Sequence, residues 1–352
     1  MKKNQLNQQP EAAREQDARS CTKKTTIGGQ ALIEGLMMIG PTKKAMAVRK
    51  PDGTILLEEL PMSNLKGAAN LLFIRGSVRL FRQLVSGTKA LLRSAEFFEV
   101  EEEHPAASAD DSVTEEAEAK PVKIEKMTFS KRLDRFVEKH SNIFLYISAI
   151  FGILFSVVLF ILLPNFITGF ISQFTSLNTM TGPGAVIIRN LIEGVLRITI
   201  FVGYLALASR MKDIKRVWMY HGAEHKAIAC YEDHQDLTVD NVRKYSRFHP
   251  RCGTAFMFIV IIVSIIVFSF VGWWDRWINL LIRFLLVPVV AGIAYEIVRL
   301  AGRHDNPLTS AISRPGLWLQ RLTTAEPDDS MLEVAIVALE AVIPDQPKSD
   351  RW

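Results

Sequence analysis

Long apolar segments with few charges dominate the second half of the chain. Ile143–Leu163 contains 21 residues and Thr254–Val271 contains 18, and neither has a charged side chain. As helices, both are long enough to cross a hydrocarbon core about 30 Å thick. Residues 185–208 and 280–300 are also apolar, although each contains three charged side chains. The pattern predicts an all-α polytopic membrane protein with four transmembrane helices within residues 127–302.

Charged residues between these segments indicate the orientation. The stretch between the first two predicted spans has no charged residue, whereas residues 209–253 contain nine Lys and Arg side chains. Because cytoplasmic loops are enriched in cations, we expect the 209–253 loop and both termini to be cytoplasmic. The three cysteines then lie on the reducing side, which favours thiols or metal ligands over disulfides.

Shorter patterns predict a small cytoplasmic α+β cap, made of residues 27–98, the 209–253 loop and residues 303–345. The β-prone runs AMAVRK and TILLEEL flank Pro51, Asp52 and Gly53, which predicts a β-hairpin. Near the C-terminus, the stretch MLEVAIVALEAVI predicts a helix that begins with a capping box formed by Ser330 and Glu333.

A basic amphipathic helix is predicted between the hairpin and the first span. Within residues 64–98, apolar residues recur at helical spacing and cations follow one residue later. Such a helix binds anionic membrane lipids, or alternatively packs on a protein core. Nucleic acid is not favoured as a partner, because aromatic residues do not interleave with the cations. The cations are Arg75, Arg79, Arg82, Lys89 and Arg93.

Composition adds two segments that the periodicity leaves out. The chain has 352 residues and a net charge of +5. Residues 1–26 lack an apolar stretch of the kind found in signal peptides, and we expect a disordered tail there. Glu99–Glu118 has nine acidic residues and no Lys or Arg, which predicts an acidic disordered linker over residues 99–126.

The run HGAEH places His221, Glu224 and His225 at His-x-x-Glu-His spacing. On a helix the two histidines are four residues apart and share a face, so both imidazoles can bind one zinc or another divalent metal. Glu224 beside them can take a proton from water. The spacing is the inverted form of the zincin motif. An alternative interpretation is that these are polar residues that anchor a loop at the membrane surface.

A catalytic metal site needs a third protein ligand, and the sequence leaves the choice open. His249 and Cys252 precede the third predicted span, where cap and interface residues are also common. Glu296 lies in the fourth predicted span and has an alternative partner in Arg299, three residues later. His304 is a further candidate and has an alternative role as a solvated loop residue.

The second predicted span has a charged face. Arg189, Glu193 and Arg197 are spaced four residues apart, so they line one side of the helix. A charge at this depth costs at least about 2.5 kcal/mol on insertion scales, so we expect Arg197 to face the bundle interior. Pairing with Glu193 is the structural interpretation, and a polar pathway or substrate site is the functional one.

Five stretches together resemble the YqhQ-like family of bacterial membrane proteins, which is catalogued as a domain of unknown function. They are GGQALIEGLMMIGP, AVRKPDG, HGAEHKAIACYE, RFHPRCGT and PGLWLQRLTTAEPDD. The resemblance covers residues 28–343 except the acidic linker, and it implies a multi-pass protein of the bacterial cytoplasmic membrane. Members of this family often carry the label of predicted metal-dependent enzymes, but no settled reaction comes with the resemblance.

Two functions are compatible with these features. The first is a membrane-embedded metal-dependent hydrolase with a metal site at the cytoplasmic face. The second is a non-catalytic factor for biogenesis, assembly or quality control of membrane proteins, which would contact other membrane proteins or a second copy of itself. A metal would then be structural, or none would be bound. The two differ in the metal coordination, because a catalytic zinc keeps one position open.

Overall fold

The fold begins with a four-stranded antiparallel sheet that precedes the helices. The strands are β1 (Gly28–Leu32), β2 (Gly35–Ile39), β3 (Lys44–Arg49) and β4 (Ile55–Glu59), paired in chain order. The computed structural model describes residues 24–62, 71, 74–102, 147, 150–152, 154–180, 182–271, 276–303 and 306–345.

The predicted hairpin is the second half of this sheet. β3 and β4 pair in the register Ala47 with Leu57, and the turn between them has Gly53 at φ +85°. The Asp52 carboxylate accepts a hydrogen bond from the Thr54 N–H at 2.8 Å, which fixes the turn. Turn chemistry of this kind is local, and the sequence therefore predicts it. β1 and β2 were not predicted.

Helices account for most of the remaining described residues. Their bounds are α1 (Ile74–Glu102), α2 (Ile150–Gln173), α3 (Pro183–Ala208), α4 (Lys212–Glu232), α5 (Val239–Val242), α6 (Gly253–Val271), α7 (Arg276–Arg303), α8 (Pro307–Thr323) and α9 (Asp329–Glu340).

The sheet is covered by helices on both faces. Leu36 and Met38 of β2 pack with α4 and α9 in the larger core. Met37, between them in sequence, points to the opposite face and packs in a second core with Met46 and Ala90 of α1. Side chains alternate between faces along a strand, so burial on both sides explains the continuous apolar run of β2. This three-layer unit carries the candidate site.

Three helices of the described residues are long and apolar enough to cross a membrane. They are Ile150–Gln173, Pro183–Ala208 and Trp277–Ala301, while the apolar stretch Phe256–Val271 of α6 is shorter. Large apolar side chains such as Phe170 and Phe270 are exposed on these helices. The pattern is consistent with a membrane protein, and these helices overlap the four predicted segments, while the number of spans stays a prediction.

The first predicted span has a different end from the predicted one. The sequence analysis ended it at Leu163, before Pro164, but α2 continues to Gln173. A π-helical turn at Val158–Leu162 lies directly before the proline, with the Leu163 N–H bonded to the Val158 carbonyl. Pro164 thereby starts a new α-helical register, where its missing N–H costs little. Residues 143–146 lie outside the described part of the chain.

The basic helix α1 packs against protein along much of its length. It extends to Glu102, four residues beyond the predicted end at 98, and its predicted start lies outside the described residues. Arg75 forms a bidentate ion pair with Glu296 of α7, at 2.7 and 2.6 Å. Arg79 donates to the hydroxyl of Tyr295. These two cations therefore contact α7, while the membrane-surface role of the five cations stays a prediction.

Both ends of the cap differ slightly from expectation. Thr25 belongs to the predicted tail, yet it is buried and its N–H donates to Glu232 at 2.8 Å. Residues 1–23 lie outside the described chain.

The N-cap of α9 is Asp328, which accepts from the Met331 N–H at 3.0 Å. The capping box predicted at Ser330 is therefore wrong, because Glu333 instead pairs with Arg49 at 2.6 Å.

Candidate metal centre

The predicted histidine pair lies on α4, which packs on the same face of the sheet as α9. His221 and His225 are one helical turn apart, and their ring centroids are separated by 4.4 Å. His225 is only 2% exposed, at a depth where polar groups require partners. The predicted juxtaposition of the two imidazoles is confirmed by this geometry.

Backbone carbonyls hold both imidazole rings from behind. The Nδ1 atom of His221 lies 2.7 Å from the carbonyl oxygen of Thr323, and Nδ1 of His225 lies 2.6 Å from that of Arg247. A carbonyl only accepts, so Nδ1 carries a proton in both rings, and Nε2 is the nitrogen that can lose its proton and bind a metal. Histidine ligands of metals are typically oriented in this way.

Cys252 completes the cluster from the loop before α6. Its sulfur lies 3.1 Å from Nε2 of His221, and one ligand atom each from His221, His225 and Cys252 lie within 4.8 Å of one another. Tetrahedral zinc with Zn–S near 2.3 Å and Zn–N near 2.0 Å separates sulfur and nitrogen by about 3.6 Å. The His221 and Cys252 donors would have to separate by about half an ångström to hold such an ion, and the group as a whole is compact enough to surround one.

The electrostatics of the cluster favour a thiolate. Burial alone would raise the pKa of the Cys252 thiol, but the adjacent imidazoles of His221 and His225 hold it well below its usual range. Burial likewise opposes protonation of His221, yet Cys252 and Glu224 raise the pKa of His221 to about 9. Cys252 therefore carries the charge that a metal ligand needs.

Glu224 lies beside the histidines with one oxygen held and one unused. Its Oε1 accepts a hydrogen bond from the Gly29 N–H of β1 at 2.7 Å. Its Oε2 is buried without a hydrogen-bond partner, as is Nε2 of His225. Burial raises the pKa of the Glu224 carboxyl, although the two histidines oppose this effect. Buried polar atoms left unsatisfied in this way are typical of a site that receives a ligand.

His249 is near the cluster but belongs to another network. Its ring centroid is 5.6 Å from that of His225, while its Nε2 lies 3.3 Å from the carboxylate of Glu232. The backbone of His249 is fixed by Gln320, which bonds its N–H at 2.8 Å and its carbonyl at 2.7 Å. Arg251 also pairs with Glu232. The structure thus engages His249 outside the three-donor group.

Two further candidate ligands are not brought to the histidines. Glu296 was predicted as a ligand or as the partner of Arg299, but its carboxylate is paired with Arg75, 221 residues away in sequence. His304 lies outside the described residues. Of the four candidates for a third ligand, the structure brings Cys252 into the group.

The charged face predicted in the second span is occupied by internal contacts. Glu193 accepts from Arg197 at 2.7 Å, which is the predicted pair, and also from Arg283 of α7. Arg189 points elsewhere and donates to the Leu177 carbonyl. Arg283 was not predicted as a partner, because it lies 90 residues from Glu193.

Backbone groups of the site were not predicted by the sequence analysis. The sequence does not predict that Gly28, Gly29 and Gln30 contribute to the site. A Cβ atom on Gly29 would lie 2.7 Å from the Met37 carbonyl oxygen and 3.0 Å from the Glu224 carboxyl carbon. A glycine pair inside a strand signals such close approaches. The carbonyls of Thr323 and Arg247 have no signature in the sequence, because every residue has a carbonyl.

Comparisons with known proteins support the resemblance inferred from the sequence motifs. The sequence model described as "Protein of unknown function (DUF1385)" matches residues 71–345. The "Uncharacterized protein YqhQ" of Bacillus subtilis (strain 168) is 34% identical over 324 residues, which cover 90% of this chain and 92% of that protein. No solved structure gives a significant match.

Proposed function

Since the chain belongs to the DUF1385 family, whose description specifies no reaction, we propose from its geometry that it is a membrane-bound, metal-dependent hydrolase. His221, His225 and Cys252 hold the metal, with zinc as the ion that best matches two imidazoles and one thiolate. The observation that carries the proposal is the pair of buried, unpartnered atoms, Nε2 of His225 and Oε2 of Glu224, beside this group.

The proposed role of Glu224 is that of the general base. A metal in this group would supply Lewis-acid chemistry that makes water acidic near neutral pH. Gly29 fixes one oxygen of the Glu224 carboxylate, and the other is available to accept a proton from water. Because burial raises the pKa of this carboxyl, it can hold that proton and return it to the leaving group.

The number of protein ligands favours catalysis over a structural metal. Structural zinc sites are closed by four protein ligands, whereas catalytic sites use three and leave one position for water or substrate. His249 would be the natural fourth ligand, but its Nε2 contacts Glu232. With the three donors His221, His225 and Cys252, the fourth position is available for chemistry.

The alternative function, a non-catalytic factor for membrane-protein biogenesis, has less support. It would use the basic helix α1 and the charged face of the second span as surfaces for clients. In α1, Arg75 and Arg79 contact α7. Within the described residues, Glu193, Arg197 and Arg283 bond to one another and to neighbouring helices, so their hydrogen bonds are used inside the protein. The cationic 209–253 segment contributes α4, so we propose that the centre lies at the cytoplasmic face.

The test separates the metal ligands from the base. His225→Ala and Cys252→Ala should lose the metal from purified protein, because each removes a ligand. Glu224→Gln should keep the metal, measured by elemental analysis, and should lose the ability to complement a deletion strain. Glu333→Gln is the matched control on the surface of α9 and should behave as wild type.

Two outcomes would contradict the proposal. Full complementation by Glu224→Gln, with failure of the ligand variants, would leave a structural metal and no base. Complementation that survives in His225→Ala but is lost in Cys252→Ala would indicate a thiol nucleophile, activated by His221 at 3.1 Å, in place of a metal.

A further inference from the structure

An open groove lies between α1 and the sheet, on the opposite side of the sheet from α4. It has a volume of about 880 Å³ and is bounded by the β2–β3 turn at Gly40, the chain after β4 at Leu60, and one side of α1. Its lining contains five cations and, among these described residues, no Asp or Glu. The cations are Lys44, Arg79, Arg82, Lys89 and Arg93.

Acidic neighbours offset only part of this charge. Arg93 lies 3.5 Å from Glu58 and 2.7 Å from Glu96, so its charge is balanced at the far end of the groove. Lys44 donates to the Ser86 hydroxyl, and Arg79 donates to Tyr295, both of which are neutral groups. The described lining itself has five cations and no acid, a composition that suits an anion.

The groove also has an apolar margin next to a helix of membrane-crossing length. α1 packs on α7, and the Ser77 hydroxyl donates to the Pro288 carbonyl near the middle of that helix. Phe81 and Leu84 of α1 are 67% and 64% exposed. Cations beside exposed apolar side chains match a ligand with an anionic head and an apolar body.

We propose that this groove binds the phosphate headgroup of an anionic phospholipid, with the acyl chains directed along the exposed apolar side of α1. A soluble phosphate would gain nothing from Leu60, Met62 and Val85, which line the groove beside the cations. The groove is a defined site on the protein, distinct from general attraction of a basic helix to a membrane. It does not depend on the metal centre.

Lipid retention by the full-length protein tests the proposal. Delipidated protein in detergent is mixed with equal amounts of phosphatidylglycerol and phosphatidylcholine, and bound lipid is counted by native mass spectrometry. Wild type should prefer phosphatidylglycerol, and Arg82→Gln with Lys89→Gln should lower that preference about tenfold. The charge-preserving pair Arg82→Lys with Lys89→Arg should retain it. If the double variant Arg82→Gln with Lys89→Gln does not fold, the single variant Lys89→Gln, at an exposed position, should still lower the preference for phosphatidylglycerol measurably.

The matched control removes two cations elsewhere on the protein. Lys212→Gln with Lys215→Gln changes exposed residues of α4 and should leave the lipid preference intact. Equal losses in both pairs would mean that only overall charge matters, which overturns the site. Displacement of the lipid by glycerol 3-phosphate at comparable concentration would identify a soluble phosphate site and would also overturn the proposal. Metal content should be the same in all these variants.

Discussion

The cluster between α3 and α7 and the cluster beside α4 are both buried, and each is built around a glutamate. In the first, both oxygens of Glu193 are bonded, to Arg197 and to Arg283. In the second, Oε2 of Glu224 is unpartnered and lies among groups that could hold a cation. The first cluster is complete within the protein, while the second has capacity left for a ligand.

The difference shows what distinguishes a structural polar network from a candidate site. Buried charges are expensive, and a protein normally satisfies them with its own groups. Arg197 is satisfied by Glu193, the Ser264 hydroxyl and the Phe160 carbonyl. The extent of burial does not distinguish the two clusters, because both are buried. The two clusters differ in their unsatisfied polar atoms, and this difference predicts the effects of three substitutions.

The largest loss of stability is expected from Glu193→Leu. The substitution leaves Arg197 and Arg283 buried without their shared carboxylate, and breaking such a pair costs about 3–5 kcal/mol. Arg197→Leu should cost less, because Glu193 keeps Arg283. The free energy of unfolding in detergent, measured by denaturant titration, compares the two variants.

Arg243→Leu removes an exposed pair with Asp329 and serves as the control, with an expected loss of about 1 kcal/mol or less. An Arg197→Leu loss as large as that of Glu193→Leu would show that Arg283 does not share the carboxylate.

The next largest effect is the stabilisation of the native state by zinc, which should depend on the α4 cluster alone. A ligand at 100 times its dissociation constant stabilises the native state by about 2.7 kcal/mol, and the thermal midpoint should rise accordingly. Cys252→Ser should abolish that rise. Cys230→Ser is the matched control, because Cys230 is also a buried thiol but contacts the carbonyls of Gln235 and Asp236. Equal zinc responses in both variants would contradict the assignment of Cys252.

The smallest effect, a small change in metal affinity, is expected from His249→Gln. The Nε2 atom of His249 lies 3.3 Å from the Glu232 carboxylate, so His249 should not ligate the metal. Metal stoichiometry should remain that of wild type in elemental analysis, with a dissociation constant changed by about tenfold at most. Complete loss of metal would indicate four protein ligands, and the α4 cluster would then be as closed as the one around Glu193.

Local patterns predicted part of this protein, and the reason is visible in individual residues. The hairpin around Gly53 and the approach of His221 to His225 depend on residues within a few positions of each other. The choice of Cys252 over His249 depends on Gln320, which fixes the intervening loop from 71 residues away. Spacing in the sequence cannot choose between these two ligands.

Two other features escaped prediction for related reasons. β1 contains two glycines, and β2 is buried on both faces, so neither strand has the alternation that marks a half-buried strand. The five cations of α1 follow one helical rhythm, yet Arg75 faces a glutamate of α7 while Lys89 lines the groove. Periodicity assigns them to a helix face but does not identify the partner of that face.

The carbonyl of Thr323, which holds the ring of His221, gives the centre a place in the order of biosynthesis. Thr323 lies beyond the end of α7, so the ribosome adds it after α6 and after the three helices that are long enough to cross a membrane. A chain truncated after α7 retains both histidines and Cys252 but lacks the acceptor that holds the His221 ring. On the proposed metal site, metal would therefore be acquired late, after translation of α8.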